Sequence, residues 1–119
     1  MVMPKFEEIM AASSESNAAA VEAYARESRV KTLFKDGVLY AGFLDGTVIG
    51  AGFDLSLDDL EAIRDDDDDP MVQFRETLVR TGGKATAEKL LKRSAVEATQ
   101  FMHEWFDTFR KLQNVSLGE

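Results

Sequence analysis

The chain contains no cysteine. Disulfides, thiolate zinc sites, iron–sulfur clusters and cysteine nucleophiles are therefore excluded. The absence also fits a reducing compartment. Histidine is almost as scarce, with His103 the only one. Proline occurs only at Pro4 and Pro70, each where a helix would take its first turn. No apolar run approaches the roughly 18 residues of a membrane span. The first residues, Met1 to Glu8, show neither a basic nor an apolar leader region. The sequence thus predicts a cytoplasmic protein without a membrane partner.

Positive charge is missing from one stretch. Between Asp54 and Asp69 stand nine of the 22 acids and one of the 14 bases, Arg64, leaving thirteen of each elsewhere. The whole net charge of −8 therefore resides in that segment. Such asymmetry bears on association and steering rather than on fold. It disfavours direct nucleic-acid binding through a broad cationic face. The 119 residues, 45% of them hydrophobic with eight Phe, suit one packed domain spanning 1–119. That length buries roughly two-thirds of the unfolded surface.

The expected fold class is α+β: an N-terminal helical segment, a three-stranded antiparallel meander, then helices that include a long C-terminal amphipathic one. Residues 4–29 read as helical, with Phe6, Ile9 and Met10 as a short apolar stripe. Ser13 to Asn17 interrupt the pattern, since Ser and Asn compete with helix by bonding nearby backbone. The second piece, Ala18 to Ser28, is expected to bury Val21 and Tyr24.

Residues 30–53 change period. Asp36-Gly37 and Asp45-Gly46 separate runs rich in β-branched and aromatic residues, a strong hairpin signal. The strands are expected at Val30–Lys35, Val38–Leu44 and Thr47–Phe53. Two-residue turns would pair Lys35 with Val38, Leu33 with Tyr40, Leu44 with Thr47, and Gly42 with Ile49. Both sheet faces then come out largely apolar, so helices or another chain must cover each. Gly50, Gly52 and Ala41 would share a flat face open to a helix. Val38-Leu39-Tyr40-Ala41-Gly42-Phe43 nearly repeats as Val48-Ile49-Gly50-Ala51-Gly52-Phe53. In this register the copies face opposite ways, which makes the repeat incidental; a bulge in either turn would reverse that.

Helices are expected at 57–64, 70–81 and 86–113. Ser56 is a natural N-cap for the first, and Asp69 with Pro70 begins the second. Gly82-Gly83 ends it. In the third, Leu91, Ala95, Ala98, Met102, Trp105, Phe109 and Leu112 keep a heptad spacing. Unbroken, it would be roughly 40 Å long. It must either break or overhang a domain of radius ~13–14 Å.

Known chemistries fit poorly. Counted from Asp65, the acids Asp65, Asp67, Asp69 and Glu76 occupy calcium-loop positions, but Pro70 stands where the loop needs Gly. Weak divalent-cation binding is what survives. His103 and Asp107 share a helix face, without the second His of a metalloprotease or the Glu of a di-iron site. No nucleophile elbow, dinucleotide loop or phosphate loop is present. The basic stretch 75–93 could pair with the acids inside the chain.

The sequence therefore points to a small acidic, non-enzymatic protein–protein interaction module without a cofactor or metal. An inhibitor, immunity protein or chaperone would have this profile, and self-association into a homo-oligomer is expected. Candidate partner-binding residues are Asp58, Asp59, Glu61, Asp65, Asp66, Asp67, Asp68 and Asp69, with Tyr40, Ile49, Phe53, Trp105 and Phe109. Alternatives are a DNA-mimicking inhibitor of a basic protein, a cation-binding protein, or an enzyme using His103 with a carboxylate.

Overall fold

A computed structural model describes residues 2–27 and 30–116. Helices α1 (Phe6–Ala11) and α2 (Ser14–Glu27) precede strands β1 (Lys31–Lys35), β2 (Val38–Gly42) and β3 (Val48–Gly52). Helices α3 (Leu57–Asp66), α4 (Pro70–Gly82), α5 (Lys84–Leu91) and α6 (Ala95–Ser116) follow. The order is the expected α+β one. The end of the expected 4–29 helix, Ser28 and Arg29, lies outside the described residues.

The sheet has order β1-β2-β3, antiparallel throughout. Asp36 and Gly37 both take positive φ (53° and 79°), as a two-residue primed turn requires. Lys35 accordingly pairs with Val38, and Leu33 with Tyr40. The second turn is different. Phe43 accepts the Gly46 N–H at 2.9 Å, Gly46 has φ 91°, and Phe43 N–H reaches the Thr47 carbonyl at 3.0 Å. The tight turn is centred on Leu44-Asp45, and Gly46 is the extra residue of a bulge. Gly42 therefore pairs with Val48 and Ala41 with Ile49, one residue away from the expected register.

That slip inverts β3, because side chains alternate between faces. Ile49 and Ala51 join Leu39 and Ala41 inside, while Val48 and Gly50 turn outward. The winning register buries Ile49 and Ala51 and half-buries the neighbouring Phe53, rather than turning Val48 and two glycines inward. More apolar surface leaves water that way. The near-repeat is therefore structural: Leu39/Ile49, Ala41/Ala51 and Phe43/Phe53 occupy equivalent inward positions.

One core joins the sheet to α4, α5 and α6, with Leu39, Ile49, Phe74, Leu78, Leu90, Phe101 and Trp105 inside it. An aromatic series crosses it. Phe53 stacks on Trp105 at 4.8 Å, Trp105 lies 5.9 Å from Phe74, and Phe74 meets Phe101 edge-on at 5.1 Å. On the outer edge of β3, the Gly52 N–H donates to Thr81 Oγ1 of α4 at 3.2 Å. This satisfies an edge group that a strand would otherwise leave open.

The expected 86–113 helix is two helices. Ser94 Oγ accepts the Glu97 N–H at 3.1 Å, and Glu97 Oε1 accepts the Ser94 N–H at 3.3 Å. This capping box starts α6 afresh. Leu91, at the head of the expected seam, is exposed; Ala98, Met102 and Trp105 are core. Beside the break, Arg93 Nη2 donates to Asp45 Oδ2 at 2.6 Å and its guanidinium lies 5.0 Å from the Phe43 ring centre. Arg93, followed by the Thr47 N–H, holds the Asp45 carboxyl well below the usual carboxylate range. The β2–β3 loop is thereby tied to the α5–α6 corner. The radius of gyration is 17.8 Å, above the value for a compact chain of this length.

Candidate interaction surfaces

Among the described residues no helix covers the outer face of the sheet around Leu33, Tyr40 and Val48. Lys31, Leu33, Lys35, Tyr40 and Val48 line a broad, open recess there. Leu33 is 60% exposed and Val48 55%. Tyr40 stands opposite Gly50. A Cβ on Gly50 would sit 3.0 Å from Tyr40 Cε1, so the phenol ring lies across the β3 backbone at that glycine. The outward strand positions carry two lysines and no acid; Asp36 sits at the rim, in the turn.

The N-terminal helices are the second such surface. Neither α1 nor α2 buries a residue. Phe6 is 71% exposed and Val21 66%, with Ile9, Met10 and Tyr24 exposed beside them. Val21 and Tyr24, expected in the core, are thus outside it, since among the described residues no element packs over them. Ser13 and Ser16 exchange side-chain-to-backbone bonds at 3.1 and 3.0 Å, which starts α2 after the expected interruption. At its other end α2 is bracketed by Gln100 of α6. The Gln100 amide donates to the Ala25 carbonyl at 3.2 Å, and its Oε1 accepts the Val30 N–H at 3.0 Å.

The acidic segment divides. Asp58, Glu61 and Asp65 fall on one exposed face of α3, three and four residues apart. Asp59 turns the other way. Its Oδ2 accepts the Ser56 N–H at 3.1 Å and its Oδ1 meets Arg80 Nη1 at 2.8 Å. The Ser56 N–H, helped by the Arg80 guanidinium, lowers its carboxyl below the ordinary range. Asp67 accepts the Asp69 N–H, and Asp69 caps α4 through the Met71 N–H, both at 2.8 Å. Asp66 and Asp68 are exposed. Among the described residues, Asp59–Arg80 is the ion pair that joins this segment to the basic stretch. No three acids converge there to hold a metal ion.

The apolar candidates separate likewise. Tyr40 is on the surface, but Ile49 and Trp105 are only 1% and 2% exposed. Phe53 and Phe109 are half-buried against Trp105. The expected register put Tyr40, Ile49 and Phe53 on one face; the bulge at Gly46 leaves Tyr40 outside and turns the other two into the core. Val48 was expected on the inward face for the same reason, whereas Leu33 shares the face of Tyr40 in the expected and the observed register alike.

A cleft of 220 Å³ opens between α3, α4 and α6, walled by Ile63, Trp105, Phe106 and Phe109 with Arg64 and Arg110 on its lining. No carboxylate or imidazole lines it, and the Thr77 hydroxyl there donates to the Gln73 carbonyl at 2.9 Å. The lining offers no acid–base pair. His103 is exposed on α6, and Asp107 forms an ion pair with Arg110 one turn on. Among the described residues no helix is long and apolar enough to cross a membrane. No family model matches this chain, and comparison with curated proteins and with solved structures returns no match.

Proposed function

We propose that this protein is a small, non-enzymatic interaction module that self-associates through apolar surface left outside its core. The observation that carries the reading is that α1 and α2 together bury no residue while presenting Phe6, Ile9, Met10, Val21 and Tyr24 to water. Exposed large apolar side chains gathered on two helices in this way mark association sites. The outer sheet face, with Leu33, Tyr40 and Val48, adds to it. The acidic segment serves to steer partners and to repel wrong ones. Light scattering over a range of protein concentration, at low and high salt, tests the reading. A mass above that of one chain, rising with concentration, is expected. A single-chain mass at every concentration overturns it.

A second reading has its own observation. Asp58, Glu61 and Asp65 form a row of carboxylates on a helix rather than on a loop, the stiffer arrangement that imitation of a nucleic-acid backbone needs. A histone serves as the basic probe. Salt-sensitive retention, lost in the Asp58→Asn, Glu61→Gln, Asp65→Asn variant but kept in Asp66→Asn, Asp68→Asn, supports it. Equal loss in both variants reduces it to net charge alone.

A further inference from the structure

We infer that α1 and α2 of one copy lie on the outer sheet face of a second copy, reciprocally, so that two chains exchange N-terminal arms. This rests on the self-association reading above and names its contacting surfaces.

Two unpartnered apolar surfaces occur in one chain, and they complement each other. The arm carries Glu7, Glu8, Glu15, Glu22 and Glu27 against Lys5 and Arg26, so it is acidic. The sheet face carries Lys31 and Lys35 on its strands against Asp36 at its rim, so it is weakly basic. Opposite charge around apolar contact fixes orientation and favours encounter. The dimensions agree as well. The 14 residues of α2 make a rod of about 21 Å, and strands of five residues run about 17 Å. A sheet covered by helices on one side would gain a helix layer on the other, the ordinary way of closing a layered fold.

The arm of the same chain is badly placed for this. Gln100 holds the Ala25 carbonyl from α6, and α6 packs on the inward face of the sheet. With that bracket made, α2 is anchored on the side away from Leu33, Tyr40 and Val48. A second copy has no such restriction.

The test uses two full-length variants at exposed positions, each checked for folding by circular dichroism. The arm variant is Val21→Glu with Tyr24→Glu; the face variant is Leu33→Glu with Val48→Glu. Each alone is expected to dimerise at least about tenfold more weakly than the parent, as loss of interface anchors does. An equimolar mixture is expected to recover dimer, because the intact arm of one variant meets the intact face of the other. No recovery on mixing, with the parent still dimeric, overturns arm exchange and leaves self-association standing. A parent that is a single chain at all concentrations overturns both. Since the chain has no cysteine, a Val21→Cys, Val48→Cys double variant adds a direct readout. A disulfide joining position 21 of one chain to position 48 of another, located by peptide mapping, supports exchange; linkage of like positions only, or a 21–48 disulfide within a single chain, overturns it.

Discussion

The indole N–H of Trp105 donates to the carbonyl of Gly52 at 3.3 Å. Gly52 gives its own N–H to Thr81, and the place of its missing Cβ lies 3.1 Å from Thr81 Cβ. One glycine thus joins β3 to α4 and to α6, and a side chain there would press on Thr81 unless α4 gives by a few tenths of an ångström. Gly52→Ala is expected to destabilise the fold by about 1–3 kcal/mol through overpacking. Urea unfolding measures it; an unchanged midpoint would show that α4 shifts aside freely.

Gly46 tests the register. Its φ of 91° is one that L side chains rarely adopt, and among the described residues no atom beyond its chain neighbours lies within 4 Å of a Cβ there. Any effect of Gly46→Ala is therefore backbone strain, expected at about 1–2 kcal/mol. A neutral or stabilising result in thermal unfolding would show that residue 46 does not hold a positive φ in solution.

Asp45 sets an acid limit. Its folded-state pKa is depressed below 3.8. A depressed carboxylate contributes stability above its unfolded pKa and loses it as pH falls through the folded value. Stability should therefore decline on acidification below about pH 4. Asp45→Asn should be less stable than the parent at neutral pH and show a shallower acid loss. Parallel pH profiles for the two proteins would dissociate the Arg93 contact from acid sensitivity.

The aspartate run is not uniform. Asp69 caps α4, whereas Asp68 is exposed without a cap role. Asp69→Ala should lower stability by about 1 kcal/mol, and Asp68→Ala should stay within about 0.5 kcal/mol of the parent. Chemical denaturation separates them. Equal effects would mean that charge repulsion in the run outweighs capping.

Local signals made much of the fold legible. Asp36-Gly37 declared a primed turn, and Ser56, Asp69 and Gly83 marked helix ends by chemistry that needs only near neighbours. The second hairpin was less legible because Asp45-Gly46 suits two turn types, and the choice is made by burial of Ile49 and Phe53. Comparing the apolar volume turned inward in each register would have found it. Ser94-Ala95-Val96-Glu97 carries the capping pattern that splits the last helix, but the heptad spacing runs straight across it. For α1 and α2 the sequence showed an apolar stripe without saying what faces it. The outward placement of Val48 needed the bulge, a tertiary decision, whereas Leu33 already followed from the first turn. Ile49 and Trp105 were legible as large and apolar, not as enclosed.

Trp105 is the only tryptophan in the chain, and it rests between Phe53 and Phe74. Its ultraviolet emission therefore watches the joint between sheet and helices and little else. The leading helices add ellipticity without touching that joint's burial. Heating should thus dim the far-ultraviolet dichroism before the fluorescence moves, and the gap between the two traces would time the departure of the first segment from the body.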